Sequence, residues 1–199
     1  FKSSLKYLAV IGVLFLLMMA EPHLSGGLVI AGIGVVILVV SGFRIRPLVV
    51  VGGILSPILV AYLYFFDKVR WARVVSFIDP FHDLQGKSYQ VAQSLYAIGS
   101  GGMFGKGLGQ SMQKYSFLPE PYNDFIFSVV CEELGFFGAT AIIVLFALFI
   151  FRGIRIALNA PDNFSMIIVI GIVAQVAIQS IFNIAVATSS IPCTGISLP

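Results

Sequence analysis

One stretch of the sequence, residues 67–124, concentrates side chains that can bind anions. It holds half of the twelve basic residues of the chain. Arg70 and Arg73 are three residues apart, which places both on one face of a helix. Because the planar guanidinium binds phosphate through two parallel hydrogen bonds, this pair is a candidate phosphate site, and Lys114 is a third candidate. The alternative for all three cations is interfacial anchoring to anionic lipid.

Three carboxylates at or just after the end of this stretch are candidates for proton transfer or binding. Asp124 directly precedes an apolar run, where Asp favours a helix N-cap worth roughly 1 kcal/mol. From the residue alone the cap is the favoured interpretation, although a carboxylate there can also act as a general base. Glu120 precedes Pro121 in extended backbone and is either a second acid or part of a loop-fixing salt bridge. Glu132 lies about 80° from Asp124 on a continuous helix, and either shares a cavity with it or pairs with a basic loop residue.

The composition predicts that membrane helices position these side chains. Of 199 residues, 58% are hydrophobic and 11% are charged, whereas a soluble domain carries about 25% charged residues. A chain of this size cannot bury so much apolar surface, so we predict an all-α integral membrane bundle. A span needs roughly 20 apolar residues. The predicted spans are residues 6–20, 24–43, 47–66, 125–151 and 164–187.

Short basic connections predict the orientation of these spans. The basic residues are Lys2 and Lys6, Arg44 and Arg46, and Arg152 and Arg155. Because they flank alternate connections, the positive-inside rule places all three pairs in the cytoplasm. The long segment 67–124 is then extracellular or periplasmic. No basic run predicts a nucleic-acid partner, and Cys131 and Cys193 have neither metal-ligand nor disulfide spacing.

Within the outer segment, residues 89–98 have the pattern of a short amphipathic helix, and a glycine-rich run over 99–109 follows. The run resembles a phosphate loop in composition only, because no strand precedes it and the motif spacings are absent. We interpret it as a turn that lets the backbone approach lipid, protein or a diphosphate.

Several longer motifs resemble one family in order along the chain. They are Arg70-Trp71-Ala72-Arg73, Ser76-Phe77-Ile78-Asp79-Pro80, Leu118-Pro119-Glu120-Pro121-Tyr122-Asn123-Asp124-Phe125-Ile126-Phe127, Glu132-Glu133-Leu134-Gly135, the run from Asn183 to Pro192, Thr194-Gly195 and Leu198-Pro199. They are similar to the SEDS peptidoglycan glycosyltransferases (FtsW, RodA, SpoVE), and lean toward the FtsW/SpoVE branch. Glu21-Pro22-His23-Leu24-Ser25, Asn123 and Ser189 depart from the usual pattern of that family.

The resemblance implies a fold, an activity and a set of partners. This chain would hold about five transmembrane helices of an expected ten. The family polymerises lipid II, an undecaprenyl-pyrophosphate disaccharide-pentapeptide, beside a class B penicillin-binding protein in the cytoplasmic membrane. Asp124 matches the acidic residue that the family needs for activity. Arg70, Arg73 and Lys114 then become candidates for holding pyrophosphate, with Glu120 and Glu132 nearby.

The resemblance also limits the expectations for cofactors and for this chain alone. We expect no protein-bound metal or cofactor, while a divalent cation on the substrate pyrophosphate is compatible chemistry. The chain begins at Phe1 and stops at Pro199, and we expect an inactive fragment of a longer protein. A lipid II flippase and a non-catalytic scaffold for the penicillin-binding protein are the alternatives. The sequence does not distinguish roles in division, elongation and spore cortex.

Overall fold

A computed structural model describes residues 2–20, 24–79, 81, 88–116 and 123–199. The secondary structure of these residues is helical. The helices are α1 (Lys2–Ala20), α2 (Leu24–Val40), α3 (Ile45–Phe66), α4 (Lys68–Ile78), α5 (Tyr89–Gly101), α6 (Gln113–Ser116), α7 (Ile126–Leu158) and α8 (Asn163–Ala187).

The long helices are those of a multi-pass membrane protein. Within the described residues, three stretches are long and apolar enough to cross a membrane: Ile45–Tyr62, Ile126–Leu158 and Asn163–Ala187. Two shorter apolar helical stretches, Ala9–Met18 and Ser25–Val40, lie in α1 and α2. Large apolar side chains such as Val49, Phe65 and Leu145 are exposed, as expected where lipid rather than water surrounds a helix.

The chain divides into two compact units. The first comprises Phe1–Ser56 and Ala147–Gln179, and in it α1 packs against α2. Small residues allow this approach, as they commonly do between membrane helices. A Cβ added to Gly34 would lie 2.6 Å from Cδ1 of Ile11 in α1. In the same way α2 approaches α8, where a Cβ added to Gly32 would lie 3.1 Å from Cδ1 of Ile178.

The second unit comprises Pro57–Phe146 and Ser180–Pro199, and it contains the polar segment between α3 and α7. One buried cluster joins Phe125, Val129 and Val186, with Ile191 and Cys193 packed against it. A neighbouring cluster is built from Phe127, Cys131, Ala139 and Ala187, with Ile98 and Ile184. These clusters fix the start of α7 against the end of α8 and the segment that follows it.

A buried hydroxyl pair also ties α5 into this unit. The Ser94 hydroxyl donates to the Ala187 carbonyl at 2.7 Å and lies 2.6 Å from the Ser128 hydroxyl. Both serines are fully buried. Helix α5, which begins where the amphipathic pattern predicted a short helix, is therefore an integral part of the packed unit.

Candidate functional site

Asp124 lies in the turn of residues 123–125 that leads into α7. The next residue, Phe125, is 1% exposed, and its carbonyl accepts from the amide N–H groups of Ser128 and Val129. Asp124 therefore precedes the helix, in a position held by a buried aromatic anchor. Its side chain is partly buried, and its backbone carbonyl accepts a hydrogen bond from Nδ2 of Asn183 at 2.9 Å.

The segment after α8 forms one wall beside this carboxylate. A Cβ added to Gly195 would lie 3.7 Å from Oδ2 of Asp124. Burial raises the pKa of the Cys193 thiol, the positive charge of Arg73 lowers that pKa, and the negative charge of Asp124 raises it. Arg73 and Asp124 are thus each close enough to Cys193 for their charges to act on its thiol, although the two residues are distant from each other in sequence.

Of the predicted site residues, Asp124 supplies a partly exposed carboxylate that can accept a proton, and Arg73 supplies an exposed guanidinium that can bind phosphate. Arg70 lies one helical turn before Arg73 on α4. Glu120 lies outside the described residues. We call the group of Arg73, Asp124 and Cys193 the Asp124 cluster.

Glu132 occupies a different environment. Its side chain is fully buried, and its two carboxylate oxygens accept five hydrogen bonds. The donors are Nζ of Lys106 (2.7 Å), Oγ of Ser111 (2.5 Å), the amide N–H groups of Met112 and Gln113 (3.3 Å each) and Oγ of Ser100 (3.4 Å). This arrangement favours the alternative in which Glu132 pairs with a basic loop residue over direct contact with a substrate.

Lys114 is engaged in the same way by the neighbouring carboxylate. Its Nζ lies 2.9 Å from Oε1 of Glu133, and the Lys114 side chain is 14% exposed. The other oxygen of Glu133 accepts from the amide N–H of Gly109 at 3.0 Å. Lys114 therefore holds the loop to α7 in this structure, and a role in binding pyrophosphate stays a prediction.

Helix α7 is interrupted where these loop residues meet it. Gly135 has φ 66° and ψ −166°, outside the helical region. Backbone groups freed at the break are satisfied by the glycine-rich run, in a four-bond exchange that we call the loop clamp. Its bonds are Lys106 N–H to Glu132 C=O (2.9 Å), Gly107 N–H to Glu133 C=O (3.0 Å), Phe136 N–H to Gly102 C=O (2.9 Å) and Phe137 N–H to Met103 C=O (3.2 Å).

The clamp explains the need for glycine in this part of the chain. An added Cβ on Gly101 would collide with the Cys131 carbonyl, and one on Gly105 would collide with that of Glu133. A Cβ on Gly135 would meet the Gly105 amide nitrogen. The glycine run therefore contacts protein backbone, one of the three partners that the sequence left open. Where a helix of a membrane protein is broken, its free backbone N–H and C=O groups need hydrogen-bond partners from the protein itself, because lipid offers none.

Two contributors to the site were missed from the sequence. The signal for Asn183 was available, because an amide inside an otherwise apolar span commonly has a specific partner. Lys106 carried no signal before the fold placed it beside Glu132. In the part of the chain that the structure describes, no group of three or more His, Cys, Asp or Glu residues is placed to hold a metal ion.

The helices define a polytopic α-helical membrane protein with a partly exposed carboxylate, Asp124, in the turn before one of its spans. Residues 1–199 match the model of the FtsW/RodA/SpoVE family of cell cycle proteins, and the chain belongs to that family.

Several named proteins are similar to this chain. It is 45% identical over 190 residues to stage V sporulation protein E of Bacillus subtilis, covering 93% of this chain and 50% of that protein. It is 37% identical over 195 residues to a probable peptidoglycan glycosyltransferase FtsW of Trichlorobacter lovleyi, covering 98% and 51%. The chain thus spans about half the length of the curated relatives it matches.

A solved structure shares the fold. A chain from work on how a peptidoglycan synthase complex coordinates polymerization and crosslinking superposes with a TM-score of 0.73 at 26% identity. The match covers 98% of this chain and 53% of that chain. The helical architecture described above is therefore shared with a chain of that complex.

Proposed function

We propose that the protein containing this chain polymerises lipid II into glycan strands at the outer face of the bacterial cytoplasmic membrane, in division or sporulation. The proposal is supported by membership of the family and by relatives named as peptidoglycan glycosyltransferases. The observation that carries it is the position of Asp124, which is partly exposed in the turn before α7 with the Gly195 backbone as a wall beside its carboxylate. Arg73, whose charge acts on the Cys193 thiol as that of Asp124 does, supplies the cation. A carboxylate and a guanidinium are the two groups that glycosyl transfer from a pyrophosphate needs.

The chemistry is a single displacement with inversion. The donor sugar carries an α-linked pyrophosphate and the product linkage is β-1,4. The attacking hydroxyl oxygen bonds to the anomeric carbon as the bond from that carbon to the pyrophosphate oxygen breaks. Asp124 takes the hydroxyl proton, and Arg73 stabilises the negative charge on the departing lipid pyrophosphate. The base and the cation act from opposite faces of the sugar, as the two catalytic groups of inverting glycosidases do.

The remaining candidates act around this pair. Arg70, one helical turn before Arg73 in α4, is a second candidate for binding the pyrophosphate, and Glu120 serves as a second acid or fixes its loop. Glu132 and Lys114, both bound within the protein, set the shape of the loop next to the substrate. A divalent cation, if the reaction uses one, enters with the pyrophosphate oxygens of the substrate.

The setting of the reaction follows from the topology. With the basic pairs in the cytoplasm, segment 67–124 and the start of α7 are on the extracellular or periplasmic side. The product strand is crosslinked by a class B penicillin-binding protein that binds the same membrane protein. Support for this partner comes from the solved relative, which belongs to a complex that couples polymerization with crosslinking.

The test uses the full-length protein with its partner in a lipid II polymerisation assay. Asp124→Asn keeps the shape of the side chain but removes the base, so we expect a loss of about 10²–10⁴-fold in rate. Asp162→Asn is the matched control, because the exposed Asp162 carboxylate accepts from the Ser165 amide N–H at the start of α8, a role that Asn also fills. Full activity of Asp124→Asn refutes the assignment.

The same assay separates the alternatives. A transporter moves lipid II but makes no polymer when lipid II is supplied on the outer side. A scaffold binds the penicillin-binding protein without activity of its own. Loss of polymer by Asp124→Asn with partner binding retained therefore excludes the scaffold.

A further inference from the structure

We propose that Asn183 is a positioning residue that sets the Asp124 carboxylate for proton transfer; this inference rests on the proposed function. Asn183 lies in α8, four residues before the helix ends at Ala187, and its side chain is fully buried. It acts through Asp124 and not by contact with the substrate.

The geometry of the amide carries the inference. Nδ2 of Asn183 donates to the Asp124 carbonyl at 2.9 Å and to the Ile196 carbonyl at 2.9 Å. A side-chain amide has two N–H donors, so both are used. The two carbonyls belong to the turn before α7 and to the segment after α8. One side chain on a rigid helix therefore fixes the backbone of two non-helical segments.

Both segments border the reactive carboxylate. Gly195 precedes Ile196, and a Cβ added to Gly195 would lie 3.7 Å from Oδ2 of Asp124. A shift of either segment changes the position of the carboxylate or of the wall beside it. A displacement of a catalytic group by about 1 Å can cost on the order of 10²-fold in rate. The two hydrogen bonds of Asn183 therefore contribute to the rate by fixing the position of the Asp124 carboxylate.

The other amide atom argues against a purely stabilising role. Oδ1 of Asn183 is buried and has no hydrogen-bond partner among the described residues. A buried acceptor without a partner costs free energy, and an apolar side chain of similar volume would avoid that cost. The amide is better explained by what its two donors hold in place.

The first test measures kcat and KM for polymerisation by the full-length protein with its partner. Asn183→Asp keeps the size of the side chain, but an ionised carboxylate donates no hydrogen bond. Because a buried carboxylate that faces two carbonyl oxygens costs stability, kcat is measured per folded molecule, below the melting temperature of each variant. We expect this kcat to fall about 10- to 100-fold while KM changes less than about twofold. Asn159→Asp is the matched control, because the exposed Asn159 amide also donates to a backbone carbonyl, that of Arg155 at 2.7 Å.

The second test does not depend on activity. In a Cys131→Ser background, Cys193 is the remaining cysteine of this chain and lies in the Asp124 cluster. Loosening the two segments should raise the rate of its modification by a water-soluble maleimide several-fold in Asn183→Asp, and not in Asn159→Asp. If Asn183→Asp does not accumulate in the membrane, Asn183→Leu, which keeps the buried volume, decides both tests.

The outcomes separate this inference from the proposed function. Wild-type kcat in Asn183→Asp together with an inactive Asp124→Asn overturns the positioning role and leaves the proposed function standing. A fall in kcat that merely follows a fall in melting temperature also overturns it, because that pattern marks a structural residue. If the wild-type protein makes no polymer, the proposed function fails. If the modification rate of Cys193 in Asn183→Asp equals that of the wild type, the positioning role of Asn183 is overturned whether or not polymer is made.

Discussion

Asp124 and Glu132 are eight residues apart in sequence, and the structure places them in opposite environments. Glu132 is fully buried and accepts five hydrogen bonds from α5, from the loop between α5 and α6, and from the first residue of α6. Asp124 is partly buried in a turn, and the charge of Arg73 acts in its neighbourhood. Nearness in sequence thus gives no indication that two carboxylates share a role.

The difference follows from the number of hydrogen bonds that a carboxylate can accept. Its two oxygens offer about four lone-pair sites. Five donors saturate those sites in Glu132, so a substrate hydroxyl or cation would first have to displace protein groups. The Asp124 side chain is instead reachable from solvent, in a turn whose backbone is held by α8. A buried carboxylate whose oxygens are already bound holds structure, whereas a partly exposed one can meet a substrate.

The largest loss of stability is expected when the charge of Glu132 is removed. Glu132→Gln leaves Lys106 without its anion and leaves buried donors with one acceptor fewer. Breaking a buried ion pair costs roughly 3–5 kcal/mol, and we expect about 3 because Lys106 is 34% exposed and can reach solvent. Thermal unfolding in detergent measures this loss. Unchanged stability of Glu132→Gln would contradict the structural role.

A smaller effect is expected at the helix break. Gly135→Ala forces a side chain into a backbone conformation reserved for glycine and into the Gly105 amide, which costs on the order of 1–3 kcal/mol. Gly99→Ala in α5 is the control, because an added Cβ there meets nothing within 4 Å and Ala favours helix. Equal melting temperatures for the two variants would show that α7 runs unbroken.

The smallest of these three effects is expected for a conservative change at Arg73. Arg73→Lys keeps the positive charge but loses the planar fork, so polymerisation should slow by about tenfold, the equivalent of one charge-assisted hydrogen bond. Stability should not change, because Arg73 is exposed. An unchanged polymerisation rate would instead support anchoring of Arg73 to anionic lipid.

Parts of this arrangement were predictable from the sequence. Apolar runs and composition predicted the all-helical membrane fold, and the amphipathic pattern predicted a helix starting near Tyr89. The motif around Asp124 predicted the family, which the comparison confirms. These features were predictable because apolar runs, amphipathic periodicity and short motifs are properties of residues that are close together in the sequence.

The break at Gly135 and the loop clamp were not predictable in the same way. Glycine is common in membrane helices, so Gly135 did not indicate an interruption. The 80° angle between Asp124 and Glu132 assumed one continuous helix, but α7 begins at Ile126, after Asp124. The partners of Glu132 come from a loop whose path is set by tertiary backbone hydrogen bonds, which leave no periodic signal in the sequence.

The most direct measurement compares polymerisation per folded molecule for the wild type, Asp124→Asn and Glu132→Gln in the full-length protein with its partner. If Asp124 is catalytic and Glu132 is structural, Asp124→Asn keeps its melting temperature and loses about 10²–10⁴-fold in rate. Glu132→Gln loses stability, while the rate of its folded molecules stays within about tenfold of the wild-type rate. Two results would contradict these roles: wild-type activity of Asp124→Asn, or a Glu132→Gln variant that keeps its stability but loses about 10²-fold or more in rate.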